Sequence, residues 1–375
     1  MRMRGLTANI APIRGAPSRG RRHTGAMTDP WLIDPAQLWP DYRPTRLLEL
    51  PALARRCGVA HVFAKAENER PLGNFKSLGG MTAGLRALAR ATGAESLDAL
   101  QRHCRQSPAP MKLLCASDGN HGLAVAAAAQ RVGARATIYL PMAVDERRAA
   151  RIDALGGKVV RVDGSYDDAV LAAAAAAGRG EGVLIADTSD DADDTVVADV
   201  MHGYGLLTRE LAGQWPDHAG GPPSHAFVQA GVGGLAAAMA DGLRSQLRAS
   251  ARIVVVEPDS AACVTRALEA GAPVTIDGDL HTAAEMLSCG LASAPALAVL
   301  LRHGARGMSV DEPMLRSAVA ALREAGGPDS TASGAAGLAG LLQASADPAQ
   351  RATHALDGDS RVLLVISEGD AALRD

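Results

Sequence analysis

A lysine and a polar, glycine-bearing loop are the residues whose types and spacing point to chemistry. Lys76 stands at the start of a predicted helix, and the loop Ser117–Gly122 follows a predicted strand and opens another helix. A lysine amine can form a Schiff base with a carbonyl compound, and backbone amides at the start of a helix bind anions. The two segments therefore predict covalent chemistry on a small ligand beside an anion-binding loop.

Lys76, taken alone, would be interpreted as a surface lysine in the first turn of an amphipathic helix. Its neighbours favour another interpretation, because Phe75 and Leu78 flank it with apolar surface. Gly79 and Gly80 allow another backbone or a ligand to approach closely. Apolar surroundings disfavour the ammonium, so we expect an amine with a lowered pKa that acts as nucleophile and base.

The loop after the predicted strand contains several groups that can contact a ligand. Gly119 and Gly122 permit unusual backbone dihedrals, and Asn120 can donate its amide to a ring hydroxyl. Asp118 has two interpretations: it caps the helix that begins near Asn120, or it is a second acid/base group that faces the ligand. His121, a lone histidine, is by itself more often structural than catalytic.

Two later segments add to the predicted site. Gln229–Gly234 is a strand end followed by three glycines in four positions and then a helix. Its spacing lacks the GxGxxG of a dinucleotide turn and the lysine of a P-loop, so a nest for a single phosphate fits better. Ser367 ends the final predicted strand, where it can hydrogen-bond a ring nitrogen, although polar residues follow many strands.

Composition excludes several function classes. The chain has 375 residues, 47% of them hydrophobic and 21% charged, with a net charge of −3. Neither nucleic acid nor a membrane is therefore expected as a partner, and a small molecule is the better default. The five cysteines are scattered and lack a CxxC pair, which is typical of a reducing cytoplasm and predicts no metal ligand set.

Residues 1–27 are predicted to be a disordered leader. Residues 1–26 contain six arginines and no acid. A transit peptide is an alternative on charge alone, but a leader that precedes a start at Met27 is the simpler interpretation.

From about residue 60 the chain alternates strands and helices, which predicts an α/β fold with mostly parallel sheets. The predicted strands are His61–Ala64, Lys112–Ala116, Ala136–Leu140, Lys158–Val162, Gly182–Ala186, Ala226–Gln229, Arg252–Val256 and Arg361–Ser367. Helices are predicted between them and after the last-but-one strand. We expect a large domain of residues 28–75 plus 190–375 and a smaller domain of residues 76–189. The carboxyl ends of parallel strands gather ligands, so we expect the polar loops to converge.

Taken in order, these elements resemble the fold-type II pyridoxal-phosphate enzymes, and within them the diaminopropionate ammonia-lyases. The resemblance runs from about Arg43 to Asp370. It depends on the stretches Lys65–Glu67 with Arg70, Gly73–Lys76, Ser117–Gly122, Phe227–Gly234, Val256–Asp259, Ser288–Gly290, Ser333–Ala335 and Ser367–Asp370. It implies the tryptophan synthase β-like fold, with two three-layer α/β/α domains and the cofactor in the cleft between them. Asp118 is the most discriminating residue, because serine/threonine dehydratases typically have a small hydroxyl residue there.

The resemblance also implies roles for individual residues. Lys76 would hold pyridoxal 5′-phosphate covalently and remove the Cα proton of an L-substrate, and Asp118 would do the equivalent work on the opposite face for the D-isomer. Asn120 would bond the 3′-oxygen and Ser367 the ring nitrogen. The phosphate would be held by Gly231, Val232, Gly233 and Gly234, and the substrate by Ser117, Asp118, Gly119 and His121. The expected reaction is α,β-elimination of 2,3-diaminopropionate to pyruvate and ammonia, in a cytoplasmic homodimer that needs no metal for the chemistry.

Three departures from the family pattern leave alternatives open. Leu123 follows Gly122 where a basic residue is usual, Leu291 follows Gly290 where a polar residue is expected, and Ala332 stands where the family commonly has Glu. They favour the same cofactor on another small amino acid, as in serine/threonine dehydration or β-replacement. A cofactor-binding homologue with little catalysis, or a dinucleotide-dependent enzyme, is the third alternative, but the latter would have no use for Lys76 and Asn120.

Overall fold

The computed structural model describes residues 35–117, 119–164, 166–247 and 251–370. The predicted leader and Asp118 lie outside these ranges. A search of the described residues finds no helix with the length and apolar character that a membrane span needs.

The strands form two sheets. In chain order they are β1 Leu47–Glu49, β2 His61–Ala66, β3 Lys112–Ala116, β4 Arg135–Pro141, β5 Lys158–Val162, β6 Val183–Leu184, β7 His225–Gln229, β8 Arg252–Pro258, β9 Arg306–Val310 and β10 Arg361–Ile366. One sheet has the order β1-β2-β10-β7-β8-β9 and the other β5-β4-β3-β6. All neighbours pair in parallel except β1 and β2, which are antiparallel. The prediction of mostly parallel α/β sheets is confirmed.

Helices connect and cover the strands. They are α1 Pro35–Leu38, α2 Pro51–Cys57, α3 Lys76–Thr92, α4 Leu97–Gln106, α5 Asn120–Val132, α6 Glu146–Ala154, α7 Tyr166–Gly178, α8 Thr195–Leu211, α9 Gly234–Leu243, α10 Cys263–Ala270, α11 Ala294–Arg302, α12 Glu312–Glu324, α13 Ala336–Ala346 and α14 Pro348–His354. Helices lie on both faces of each sheet, because apolar clusters fill both faces. This arrangement gives each sheet the three layers that were predicted.

Helix α3 is the element that carries Lys76, and its small residues allow it to pack closely on two other helices. A Cβ added at Gly79 would lie 2.3 Å from the Tyr204 ring on α8, and one at Gly80 would lie 2.6 Å from Ala124 on α5. The close approach that these glycines permit is therefore between helices. Phe75, just before Lys76, packs on the same Tyr204 ring with centroids 4.8 Å apart and ring planes inclined by 54°.

The strands of the two sheets divide in sequence where the domain prediction places them. Strands β3 to β6 lie within residues 76–189, and the other strands lie outside that range. Helix α3, however, packs on α8 as closely as on α5, and one apolar cluster includes residues from beneath both sheets. The division into two domains at residues 75 and 189 stays a prediction.

Gly79→Ala should destabilise the fold, because the new methyl group would overlap a buried Tyr204 ring that Phe75 holds in place. Overpacking of this kind costs about 2 kcal/mol, more than the helix propensity that alanine adds. Gly205→Ala, on α8 with no atom within 4 Å of the added Cβ, is the matched control. It should stabilise by about 0.5–1 kcal/mol in urea unfolding. A Gly79→Ala protein as stable as the control would show that the helices are spaced more widely.

Stability should also depend on Glu257, which caps α10 and is fully buried. Its carboxylate accepts from the Val264 amide at 2.8 Å and from the Thr265 amide and hydroxyl at 2.7 and 2.6 Å. Burial nevertheless raises the pKa of Glu257 to about 7. The unfolded chain releases this proton near pH 4.5, so the stability contributed below that pH is lost as the pH rises through 7.

Glu257→Gln removes this titration. Between pH 4.5 and 8, the unfolding free energy of the wild type should fall by about 3 kcal/mol relative to that of the variant. Urea titrations at several pH values measure the difference, and a pH-independent difference would show that the carboxyl is already ionised at pH 4.5.

Candidate active site

An ion pair between Lys76 and Asp187 forms the centre of the site. The Lys76 Nζ atom lies 2.7 Å from Asp187 Oδ2. Lys76 begins α3, and Asp187 follows the carboxyl end of β6. Both side chains are largely buried, with 25% and 11% of their surfaces exposed. The pair thus joins the start of α3 to the carboxyl end of β6 in the four-stranded sheet.

The charge state of Lys76 differs from the expectation drawn from its apolar neighbours. Burial by itself would lower the pKa of Lys76, but the adjacent Asp187 carboxylate outweighs burial and raises it. Burial would likewise raise the pKa of Asp187, yet the Lys76 ammonium holds that pKa well below its usual range. The expected lowered lysine pKa is therefore wrong for this state of the protein, because the sequence pattern did not include the carboxylate.

Asn120, the first residue of α5, lies in a network of hydrogen-bonded side chains. Its Nδ2 donates to Glu368, and its Oδ1 accepts from Asn74 Nδ2 at 3.1 Å. Glu368 also accepts from Thr331 Oγ1 at 2.6 Å. Burial raises the pKa of Glu368, although the hydrogen bonds from Thr331 and Asn120 act in the opposite direction. Asn120 is thus oriented from two sides, and one of its partners, Asn74, precedes Lys76 by two residues.

The loop before α5 is shaped by Ser117. Its Oγ accepts from the amides of Gly119 at 3.0 Å and Gly122 at 2.9 Å. Gly119 has φ 152°, a conformation that favours glycine. His121 is buried, with Nε2 3.1 Å from the Ile185 carbonyl oxygen, and burial lowers its pKa. The imidazole is therefore neutral at neutral pH, and it faces the Lys76–Asp187 pair.

The glycine loop joins β7 to α9. Gly233 has φ 99°, and the first amides of a helix have no intrahelical acceptor. A Cβ added at Gly231 would lie 2.9 Å from Cys289 Sγ. Gly234 lies beside Tyr204, the ring against which α3 packs. The loop therefore lies beside the lysine, as the predicted convergence requires.

Ser367 follows β10 and is buried. Its Oγ accepts from Gln229 Nε2 at 2.7 Å, and its carbonyl oxygen accepts from the Phe75 amide at 3.0 Å. Since Gln229 donates to the oxygen, the hydroxyl proton of Ser367 can be donated to an acceptor in the site.

A cavity of 180 Å³ opens beside Asn120 and Glu368. Leu123 lines it, and three arginines of α6 form a basic part of its wall: Arg147, Arg148 and Arg151. Arg148 also pairs with Glu285 at 2.7 Å. A ligand carboxylate that enters here would meet guanidinium groups.

The family model described as "Pyridoxal-phosphate dependent enzyme" matches residues 38–368. This chain belongs to that family. It is 30% identical over 347 residues to the diaminopropionate ammonia-lyase of Escherichia coli K12, covering 89% of this chain and 86% of the relative. Over 258 residues it is 30% identical to the mouse serine dehydratase-like protein, covering 69% of each. The holo structure of the Escherichia coli lyase matches with TM-score 0.78 and 29% identity, covering 90% of this chain and 87% of that one.

The pyridoxal-phosphate site fits the residues that are present. Buried polar atoms without a protein partner among the described residues include Ser77 Oγ, beside Lys76, and His121 Nδ1. The amides that open α9 suit a phosphate, and the Ser367 hydroxyl suits a ring nitrogen that accepts a hydrogen bond. The structure therefore brings every described residue of the predicted site into one region, while Asp118 lies outside the described residues.

Sequence reasoning missed two acids of this site. Asp187 is not among the predicted site residues, and Glu368 lies in the stretch Ser367–Asp370 without a predicted role. Asp187 is a polar residue just beyond a strand, so the rule that selected the other loops applies to it as well. Its partnership with Lys76, 111 positions away, has no sequence signature.

Asp187→Asn should reduce turnover by about 10²–10⁴-fold while the cofactor stays bound, because the amide cannot hold the protonated lysine beside the substrate. Cofactor absorbance and turnover, measured on the same sample, separate the two effects. Asp190→Asn, an exposed acid of the same loop, is the matched control and should keep wild-type turnover. Equal activity of the two variants would show that Asp187 does not act on Lys76 during the reaction.

Proposed function

We propose that this protein is a carbon–nitrogen lyase that eliminates the β-amino group of 2,3-diaminopropionate, as the D-isomer, the L-isomer or both, as ammonia. The remaining aminoacrylate takes up water and gives pyruvate and a second ammonia. The observation that carries the elimination chemistry is the 2.7 Å ion pair of Lys76 with Asp187, inside a family that uses pyridoxal phosphate. The substrate comes from the relative named diaminopropionate ammonia-lyase, which matches over most of both chains.

The proposed roles follow the geometry of the side chains. Lys76 would hold the cofactor covalently and, once the substrate amine has replaced it there, its freed amine would remove the Cα proton of the L-isomer, while Asp187 would stabilise the resulting ammonium. Asn120, oriented by Glu368 and Asn74, bonds the 3′-oxygen, and Ser367 bonds the ring nitrogen. The amides of residues 231–234 hold the phosphate. The cofactor supplies the electron sink for the carbanion formed at Cα.

The opposite face of the substrate is assigned to Asp118. The family resemblance, in which Asp118 is the most discriminating residue, supports this assignment, and the acid would remove the Cα proton of the D-isomer. Ser117, Gly119 and His121 contact the substrate in this proposal. A structure of the Escherichia coli lyase in complex with D-serine is consistent with a D-amino acid entering the corresponding site in that relative.

Serine or threonine dehydration is the second candidate, and the departures from the family pattern favour it. Leu123 lines the cavity beside Asn120 where the family usually has a basic residue. Ala332 and the partly exposed Leu291 replace residues expected to be polar. An apolar wall changes which β-substituent is accommodated but leaves the cofactor contacts as they are.

A substrate panel separates the two candidates. Release of the 2-oxo acid by the purified holoenzyme, which is pyruvate from diaminopropionate or serine and 2-oxobutyrate from threonine, should be fastest with D- or L-diaminopropionate and slower with serine and threonine. Borohydride should fix the cofactor on Lys76, as peptide mass analysis would show. Faster turnover of serine or threonine would transfer the assignment to the dehydratases, and a protein without a reducible cofactor would remove both candidates.

Asp118→Asn should separate the two faces. We expect turnover of the D-isomer to fall by about 10²–10⁴-fold, while turnover of the L-isomer falls far less. Lys76→Ala is the comparison, and it should abolish turnover of both isomers because the cofactor loses its covalent link. Equal losses in Asp118→Asn would show that the faces are wrongly assigned.

Cytoplasmic localisation and a homodimer belong to the same proposal. The described cysteines are all free, which suits a reducing compartment. Light scattering of the purified protein gives its mass, and a single-chain mass of 38.5 kDa would contradict the dimer.

A further inference from the structure

Two histidines and a glutamate come together on the six-stranded sheet, outside the site described above. Glu49 ends β1, and His61 begins β2 of the same antiparallel pair. His218 lies in the short 3-10 turn Asp217–Ala219, which precedes β7. Glu49 and His61 are 12 positions apart, whereas His218 is 169 positions from Glu49 and meets them only through the fold.

The side chains face one another closely. Glu49 Oε1 lies 2.7 Å from His61 Nδ1, and Glu49 Oε2 lies 2.8 Å from His218 Nε2. One ligand atom from each residue lies within 4.8 Å of the others. The His61 ring is held by Phe63, with which it stacks at a centroid distance of 5.6 Å.

We propose that Glu49, His61 and His218 bind a divalent transition-metal ion, zinc in the first instance. Imidazole nitrogens and a carboxylate oxygen are ligands that zinc accepts, and three protein ligands leave a fourth position for water. Bonds of about 2.0–2.1 Å in a tetrahedron place ligand atoms about 3.3 Å apart. The Glu49–histidine distances widen by about 0.5 Å to reach this value.

The movable ligand is His218, whose side chain is 64% exposed. Its ring can turn towards His61 without disturbing packed neighbours, whereas His61 and Glu49 are held on paired strands. A bound ion would replace two hydrogen bonds by three metal–ligand bonds. It would link the β1–β2 pair to the turn that follows α8.

This link would reinforce contacts that the six-stranded sheet already makes with α8 and the chain after it. On the same face of β2, Lys65 donates to Gln214 at 2.8 Å and to Glu210 of α8 at 2.6 Å. The proposed ion would add a second link from this strand, to the turn Asp217–Ala219 that follows α8. Because α8 packs on the lysine-bearing helix α3, the ion would stabilise elements that support the active site. It would not take part in the chemistry.

Calorimetric titration of the EDTA-treated holoenzyme with zinc chloride tests the proposal. We expect one zinc ion per chain, and a melting temperature that rises by roughly 3–6 °C when zinc is in hundredfold excess over its Kd. His218→Ala should bind zinc at least about tenfold more weakly and lose the thermal shift. Its ring is exposed, so the variant should fold as the wild type does without metal.

His303→Ala is the matched control. His303 Nε2 lies 2.8 Å from Asp241 Oδ1, a histidine–carboxylate pair without a second histidine. This variant should bind zinc as the wild type does. Equal zinc affinity in the wild type and in His218→Ala would place the ion at another site, and no uptake by the wild type would likewise overturn the proposal.

Discussion

The ion pair between Lys76 and Asp187 is the constraint on which the arrangement of the site depends. A largely buried ammonium or carboxylate is costly unless it has a partner, so each of these groups requires the other at 2.7 Å. The pair connects the start of α3 with the end of β6. It also favours the protonated lysine in this structure, whereas the nucleophile and base of the proposed reaction is the neutral amine.

The packing of α3 allows this pair to form. Gly79 and Gly80 let α8 and α5 approach α3 closely, and Tyr204 fills the space between Phe75 and Gly79. The same Tyr204 ring lies beside Gly234, so the lysine and the glycine loop share one neighbour. The four segments of the site then follow the carboxyl ends of β3, β6, β7 and β10, where parallel sheets gather their ligand-binding loops.

Much of the architecture was predictable because it is written in local patterns. Strands β3 and β5 have the predicted bounds, since short apolar runs followed by polar loops are contiguous in sequence. Strands β1 and β9 were not predicted, because β1 has only three residues and β9 contains Gly307 and two polar residues. Helix α4, between β2 and β3, is polar, and Ser96 caps it by accepting from the Ala99 amide. These differences do not affect the site, which depends on other elements.

The sequence by itself determined the parts of the site that contiguous residues carry: the lysine at a helix start, the Gly-Asn loop, the glycine nest and the serine after the last strand. Only the tertiary structure decided which charges meet, and electrostatic attraction between distant residues leaves no periodic trace in a sequence. The role of Asp187 is therefore visible only in the structure, where the end of β6 brings this residue to Lys76. In the same way, Glu49, His61 and His218 became a cluster only when the sheet and the turn after α8 placed them side by side.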